Sequence, residues 1–314
     1  MISAQGLTRA FDGTVAVEGL TFSVPEGTLF ALLGPNGAGK TTTVRLLMGL
    51  IGPTAGTATV AGHRLGAGTD AGRLLRRACG LLTEAPGFYE RMSAHDNLLF
   101  FGRLYGIPER TLAHQLEHYL RVLELWDRRE DLVGTYSKGM KQRLAIIRAL
   151  FHDPKVVFLD EPTAGLDPEA ALEVRDLIAR LKTEGRTIVL CTHNLAEAER
   201  LADSVGILRR RLLLCDTLQR LRSGSDEDGR VAVRITLTGP AALYAPALVT
   251  EPPGPSLRDV RATNDVLSAR CARDDVPALV AWLVGRGAGI RQVEATADSL
   301  ESIYLRAVRV GAER

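Results

Sequence analysis

A lysine and two threonines follow a glycine-rich segment at a spacing that is typical of phosphate binding. Residues 34–42 read GPNGAGKTT and match the pattern G-x-x-x-x-G-K-[ST], with Lys40 and Thr41 at its last two positions. Glycines let main-chain N–H groups converge on phosphate oxygens, Lys40 can reach the β- and γ-phosphates, and the Thr41 hydroxyl can bind Mg²⁺. A glycine-rich surface turn is the alternative, but the apolar run 29–33 before the motif favours a strand that leads into a phosphate loop. The sequence therefore predicts a site for a nucleoside triphosphate.

Two acidic residues end a second apolar run. Asp160 and Glu161 follow the apolar residues 156–159, about 120 positions after the glycine-rich segment. An acid at this point can hold Mg²⁺ opposite the threonine hydroxyl, which fits Asp160. Glu161 is then placed to orient or deprotonate an attacking water. Two solvated acids at a strand end are the alternative, and the phosphate motif upstream favours the catalytic interpretation.

Three further residues each allow two interpretations. His193 follows the apolar run 187–191 and could donate to the γ-phosphate, although a single histidine is more often structural. Ser137 precedes a glycine at the predicted start of a helix, where it would either help to bind an anion or only cap the helix. Phe11 precedes an Asp-Gly turn and could stack on adenine, but the residues alone favour a position in the core.

Composition limits the classes of protein to consider. The chain has 314 residues, 46% of them hydrophobic and 24% charged, with a net charge of +2. These values indicate an ordinary globular protein of two domains and give no reason to expect nucleic-acid binding. The four cysteines have no paired spacing, and neither a signal peptide nor a membrane-spanning segment is expected. We therefore expect reduced thiols, a cytoplasmic location and a membrane role only through a partner.

The pattern of apolar residues predicts an α/β fold. Uninterrupted runs at 156–159 and 187–191 indicate strands of a parallel sheet covered on both faces. Alternating residues in the first 30 positions predict a small antiparallel sheet, and residues 93–126 have helical periodicity. The polar segment 223–229 reads as a linker, so the expected domains are 1–222 and 230–314, the second a small α+β module.

The order of these motifs closely resembles the nucleotide-binding subunit of ATP-binding cassette (ABC) transporters over roughly residues 2–220. The resemblance implies a P-loop NTPase fold with a parallel-sheet core, an antiparallel β subdomain and a helical subdomain. It assigns ATP contacts to an aromatic A-loop and the Walker A loop, which are Phe11, Gly34, Pro35, Asn36, Gly37, Ala38, Gly39, Lys40, Thr41 and Thr42. It assigns the signature, which would close over the ATP of a second subunit, to Ser137, Lys138, Gly139 and Met140. It assigns catalysis to Lys40, Glu161 and His193, the metal to Thr41, Asp160 and Glu84, and the D-loop to Asp167.

The same resemblance implies ATP and Mg²⁺ as ligands, a head-to-tail homodimer and a separate integral membrane permease. The chain departs from the family at Lys138 and Met140, where glycine and glutamine are usual, and at Glu84, where the family has a glutamine. We interpret Glu84 as tuning the site, because a carboxylate can still ligate Mg²⁺. Residues 299–305 resemble the tail of ABC-2 drug- and antibiotic-exporter ATPases, so the expected function is ATP hydrolysis that powers export. A soluble ABC ATPase acting on ribosomes or DNA, and a regulatory or resistance protein uncoupled from transport, are the alternatives.

Overall fold

In the computed structural model, the described residues of the first part of the chain form two β-sheets and seven α-helices. The structure describes residues 1–66, 68–83, 87–222, 230–254, 256–296 and 299–312, and these divide into the units Met1–Cys215 and Asp216–Arg314. The strands up to the boundary are β1 (Ile2–Phe11), β2 (Thr14–Val24), β3 (Leu29–Leu33), β4 (Ala55–Val60), β5 (His63–Arg64), β6 (Cys79–Leu82), β7 (Val156–Asp160), β8 (Thr187–Thr192), β9 (Ser204–Arg209) and β10 (Arg211–Thr217). The helices are α1 (Lys40–Leu47), α2 (Thr69–Ala78), α3 (Ala94–Leu104), α4 (Glu109–Val122), α5 (Lys138–Leu150), α6 (Pro168–Thr183) and α7 (Leu195–Leu201).

The central sheet of the first unit has the strand order β10-β9-β3-β8-β7-β6. The pairs β9–β3, β3–β8, β8–β7 and β7–β6 are parallel, and every residue of β3, β7 and β8 is buried. Complete burial explains their uninterrupted apolar sequences, because both faces of such a sheet are covered. The parallel-sheet core predicted from the sequence is confirmed.

A smaller sheet, β2-β1-β4-β5, is antiparallel, as predicted from the alternating pattern in the first 30 positions. Its inward residues and the faces of α1 and the central sheet form one apolar core that includes Leu7, Leu20, Phe22 and Phe30. The rings of Phe22 and Phe30 stack with centroids 5.2 Å apart, which joins the two sheets.

The helical segment predicted at 93–126 contains two α-helices, α3 and α4. The break falls at Gly106, whose φ is +67°, and at Pro108, which precedes α4. A left-handed glycine followed by a proline ends one helix and begins the next.

The second unit is an α+β module with its own core. It contains α8 (Leu218–Arg222), β11 (Arg230–Leu237), α9 (Ala245–Thr250), β12 (Arg258–Thr263), β13 (Val266–Ala272), α10 (Val276–Gly285), β14 (Ile290–Thr296) and α11 (Leu300–Ala312). The sheet order is β12-β13-β11-β14, and its pairs are antiparallel. Leu248 of α9 and Leu279 and Leu283 of α10 pack on the apolar residues of this sheet.

Sequence patterns missed β12, because its alternation is short, with Val260 and Ala262 as its two apolar residues, and because Asp259 has a φ of +53°. The division of the structure between Cys215 and Asp216 precedes the predicted boundary at 222, and the predicted linker 223–229 lies outside the described residues. All four cysteines are free, and three of them are buried. Among the described residues, no helix has both the length and the apolar character that crossing a bilayer requires.

Candidate active site

The carboxyl ends of three neighbouring strands meet at one edge of the central sheet. Leu33 of β3 lies beside Thr192 of β8, and Asp160 of β7 lies beside Cys191 of β8. Ligands of open parallel sheets bind outside the carboxyl ends of the strands. The phosphate loop, the acidic pair and His193 therefore converge at this edge, because each lies at or just after the end of one of the three strands.

The phosphate loop has the backbone that its glycines allow. Gly37 and Gly39 have φ values of +79° and +104°, and Gly39 is the residue before α1. A Cβ on Gly39 would overlap the side chain of Val17 and lie 2.8 Å from the Ala16 carbonyl oxygen. Only glycine fits there, because both the conformation and the close approach exclude a side chain.

Lys40 is directed into the loop that precedes it. Its residue is 6% exposed, and its Nζ donates to the Gly34 carbonyl oxygen at 2.6 Å and to the Pro35 carbonyl oxygen at 3.4 Å. The ammonium also lies 3.5 Å from Glu161 Oε1. A buried ammonium needs such partners, and phosphate oxygens are acceptors that it can take in their place.

Thr41 and Asp160 bring two oxygens together across 119 residues of chain. Thr41 Oγ1 donates to Asp160 Oδ2 at 2.6 Å, and Asp160 is 3% exposed. Mg²⁺ at nucleotide sites is held by one or two protein oxygens, with phosphate and water completing the octahedron. The oxygens of Thr41 and Asp160 fit that requirement. Among the described residues, no cluster of three or more His, Cys, Asp or Glu side chains could hold a metal ion by itself.

Glu161 is held in a backbone conformation that is rare for residues other than glycine. Its φ is +50°, and such strain costs of order 1–3 kcal/mol and persists where surrounding contacts hold it. The Glu161 amide donates to the Cys191 carbonyl oxygen at 2.9 Å, and the Ala164 amide donates to the Glu161 carbonyl oxygen at 3.1 Å. The side chain, 13% exposed, places Oε1 2.9 Å from His193 Nδ1.

A pocket of about 400 Å³ joins these groups. Its lining residues are Ala16, Pro35, Asn36, Gly37, Ala38, Gly39, Lys40, Thr41, Thr42, Asp160, Glu161, Ala164 and His193. The sequence analysis did not identify Ala16 and Ala164, because alanine has no functional group that indicates a binding site. Each lines the pocket because its strand or loop passes beside it.

Phe11 is not a core residue, and the interpretation favoured by the residues alone is wrong. The side chain ends β1 next to a hairpin turn, is 41% exposed and has the Arg9 guanidinium 4.5 Å from its ring centroid. It does not line the 400 Å³ pocket. A hairpin end projects from the sheet, so the ring has no core to enter.

The signature segment forms the start of α5. Ser137 precedes the helix, and its Oγ accepts the Met140 amide at 3.2 Å. The first turn contains no acidic residue, and Ser137 and Lys138 are exposed. None of the four residues from Ser137 to Met140 lines the pocket of their own chain. Ser137 therefore caps the helix, and it is exposed on its own chain.

Asp167 caps α6 in the same way, since its Oδ1 accepts the Ala170 amide at 2.9 Å. This main-chain N–H lowers the pKa of the Asp167 carboxyl below its ordinary value. The remaining predicted site residue, Glu84, lies outside the described residues.

Glu197 is a buried acid near the site that the sequence analysis did not identify. It is 1% exposed, and its Oε1 accepts the Thr163 hydroxyl at 3.0 Å. Burial raises the pKa of the Glu197 carboxyl, with the charge of Glu161 adding to the effect. Its position at the start of α7 gave no signal, because acids are common in first helical turns.

Comparison with known proteins places the chain in a family. A family model described as ABC transporter matches residues 17–164. The ABC transporter ATP-binding protein YxlF of Bacillus subtilis (strain 168) is 34% identical over 98% of this chain and 99% of its own. The Nod factor export ATP-binding protein I of Rhizobium sp. (strain N33) is 39% identical over 66% of this chain and 67% of its own.

A solved structure of the ATP-binding subunit of an ABC transporter has a TM-score of 0.66 and 33% identity, covering 73% of this chain and 96% of that one. The predicted fold class is confirmed by this likeness, and the two alternative functions are not favoured by the relatives. The match of YxlF along nearly the whole chain, together with the nucleotide site described above, shows that the chain belongs to the ABC transporter family, as an ATP-binding and ATP-hydrolysing subunit.

Proposed function

We propose that this ATPase hydrolyses ATP at the edge of the central sheet and thereby drives export through a separate membrane permease. The observation that carries the proposal is the convergence of Lys40, Glu161 and His193 on one pocket, beside the Thr41–Asp160 pair. These groups supply a cation for phosphate, a base for water and oxygens for a metal.

Lys40 and the phosphate loop bind the triphosphate. The ammonium exchanges its contacts with the Gly34 and Pro35 carbonyl oxygens for phosphate oxygens, which are charged and therefore stronger acceptors. The positive end of α1 faces the same anion. When Lys40 turns to the phosphates, it also leaves Glu161, whose carboxylate then becomes available to the attacking water.

Mg²⁺, when bound, neutralises charge on the phosphates. Thr41 Oγ1 and Asp160 Oδ2 would hold it, since they already lie 2.6 Å apart. Glu84 stays a predicted third ligand.

Glu161 accepts the proton of the attacking water, and His193 orients the carboxylate. The 2.9 Å contact between His193 Nδ1 and Glu161 Oε1 fixes one oxygen of the carboxylate. The histidine side chain is 63% exposed, so it can also reach a γ-phosphate in the pocket that it lines.

The signature and D-loop act on the nucleotide of a second subunit. Ser137, Lys138, Gly139, Met140 and Asp167 lie outside the pocket of their own chain, and Ser137 and Lys138 at the start of α5 are exposed. A head-to-tail homodimer would place this terminus on the partner's phosphates, where a positive helix end and a lysine stabilise negative charge.

The relatives and the tail support export, a separate permease and a location on the inner face of the membrane. The 39% identical relative is named for Nod factor export, and the exporter-like tail 299–305 begins α11. We further propose residues 1–222 as the ATPase domain, 223–229 as a linker and 230–314 as an accessory domain. YxlF matches along both parts, so the accessory module is shared with that protein.

The substitution Glu161→Gln tests this mechanism. We expect the variant to bind ATP with unchanged affinity, to lose about 100-fold or more in kcat because the general base is removed, and to accumulate as an ATP-dependent dimer. Steady-state ATPase assays and light scattering with and without ATP measure both effects. Glu117→Gln, on the exposed face of α4, is the control and should behave as wild type. Near-normal turnover of Glu161→Gln would remove Glu161 from its assigned role.

A further inference from the structure

A buried glutamine of α5 contacts the main chain directly after the proposed general base. Gln142 is 8% exposed, and its Nε2 donates to the Pro162 carbonyl oxygen at 2.9 Å. Pro162 follows Glu161 and has no N–H, so its carbonyl oxygen is the one main-chain group through which a neighbour can hold this residue by a hydrogen bond. The two partners are 20 residues apart in the chain and belong to different elements.

The peptide next to Glu161 needs such a contact, because the Glu161 backbone is strained. Its φ of +50° is maintained by two main-chain hydrogen bonds, from the Glu161 amide to Cys191 and from the Ala164 amide to Glu161. The bond from Gln142 is a side-chain contribution to the same short turn. Strained residues keep their conformation where several surrounding contacts determine it together.

The start of α5 also packs on the loop that runs from Glu161 to Asp167. A Cβ on Gly165 would overlap the ammonium of Lys138, and a Cβ on Gly139 would lie 3.6 Å from Leu166 Cδ2. The helix therefore contacts this loop near both of its ends, at Pro162 and at the Gly165–Leu166 pair. A helix is stiff over one turn, so Gln142 and the signature residues move together.

We propose that Gln142 is a positioning residue for hydrolysis, which holds the peptide after Glu161 so that the carboxylate stays aimed at the water site. It acts through Glu161 and does not itself touch the substrate. The inference rests on the proposed function of Glu161 and deepens it. Helix α5 would then connect two sites. Ser137 is proposed to contact the partner's nucleotide, and Glu161 is the base that acts on the chain's own nucleotide.

Two substitutions separate positioning from packing. Gln142→Met keeps the length of the side chain and its burial but removes the donor. Gln142→Glu keeps the shape, and its carboxyl donates to Pro162 only when it is protonated. If Glu161 depends on this bond, kcat falls about 10- to 100-fold in Gln142→Met, since small misplacements of reacting groups have effects of this size. KM and the ATP dissociation constant stay within about threefold, because the phosphate loop is unchanged.

The pH profile supplies a second readout. The ratio of kcat for Gln142→Glu to kcat for wild type should rise as pH falls, because protonation restores a donor to Pro162. Asn97→Asp is the matched control, as Asn97 is also a buried amide that donates to main-chain carbonyl oxygens, at Tyr89 and Ser93. Its kcat ratio should stay flat with pH.

A kcat for folded Gln142→Met within twofold of wild type, or a flat pH ratio for Gln142→Glu, would overturn the proposal. An equal loss of kcat in Asn97→Asp would assign the effect to general stability and also overturn it. Thermal unfolding of every variant verifies that only folded proteins are compared. If Gln142→Glu does not fold, the kcat of Gln142→Met decides the proposal. Wild-type protein without ATPase activity would instead contradict the proposed function, which keeps the two failures apart.

Discussion

Two glutamates close to one another are set apart by their surroundings. Glu161 is partly accessible and has Lys40 and His193 beside its carboxylate. Glu197 is 1% exposed, and its Oε1 accepts the Thr163 hydroxyl. Burial raises the pKa of Glu197, so its charged form is the unfavourable one. At this scale, residue type alone does not decide which acid is suited to catalysis.

The raised pKa of Glu197 makes a prediction about stability. The folded chain binds this proton more tightly than the unfolded chain, whose value is near 4.5. Protonation of Glu197 therefore stabilises the folded chain at low pH, and this stabilisation is lost as the pH rises through the pKa of Glu197 in the folded state. Glu197→Gln should raise the free energy of unfolding at pH 8, with the gain shrinking as pH falls towards 4.5.

Urea unfolding at several pH values measures this difference. Glu26→Gln, at an exposed position, is the control and should leave the free energy of unfolding unchanged at each pH. Destabilisation of Glu197→Gln at pH 8 would show that the ionised carboxylate has a stabilising role at this position.

Among the elements, β6 and α5 are joined by a close approach that a single glycine permits. A Cβ on Gly80 of β6 would overlap the Ala149 carbonyl oxygen of α5 and lie 3.0 Å from the Pro154 ring. Since α5 carries both the signature and Gln142, this contact helps to set the position of the helix against the central sheet. The predicted strand and helix patterns did not reveal it, because they describe each element separately.

Gly80→Ala should therefore destabilise the protein by about 2 kcal/mol or more, since the overlap is with main-chain atoms that cannot turn away. Gly52→Ala is the matched control, because no atom lies within 4 Å of its Cβ position and its φ is not positive. Thermal unfolding compares the two variants. Equal melting temperatures would contradict the close packing of β6 and α5.

At the scale of the whole molecule, the chain consists of two units with separate apolar cores. One core surrounds Phe30 and Leu46, and the other surrounds Ile235 and Leu283. The nucleotide pocket belongs entirely to the first unit.

The proposed permease gives a prediction at the same scale. Affinity purification of the tagged, full-length protein from native membranes in mild detergent should recover a polytopic membrane protein in stoichiometric amount. The physical reason is that an ATPase can drive export only if its conformational change is passed to a protein in the bilayer. Recovery with ribosomes, with DNA or without any partner would contradict the transport role and leave the ATPase site unaffected.

Much of the nucleotide site could be predicted from the sequence, because its chemistry depends on short segments. The phosphate loop needs glycines at left-handed positions before a lysine, and these requirements are met within nine consecutive residues, 34–42. The acidic pair and His193 could be found because each follows a fully buried strand, and such strands have a simple apolar pattern.

Other features were decided only by the tertiary structure. The Thr41–Asp160 contact spans 119 residues, the Gln142–Pro162 contact joins a helix to a loop, and Ala16 reaches the pocket from another sheet. The outward position of Phe11 likewise depends on where its hairpin ends. Local patterns specify the conformation of a segment, whereas these contacts depend on strand order and on how helices pack across the sheet. The sequence by itself therefore determined the chemistry available to this protein, and the fold decided which groups meet.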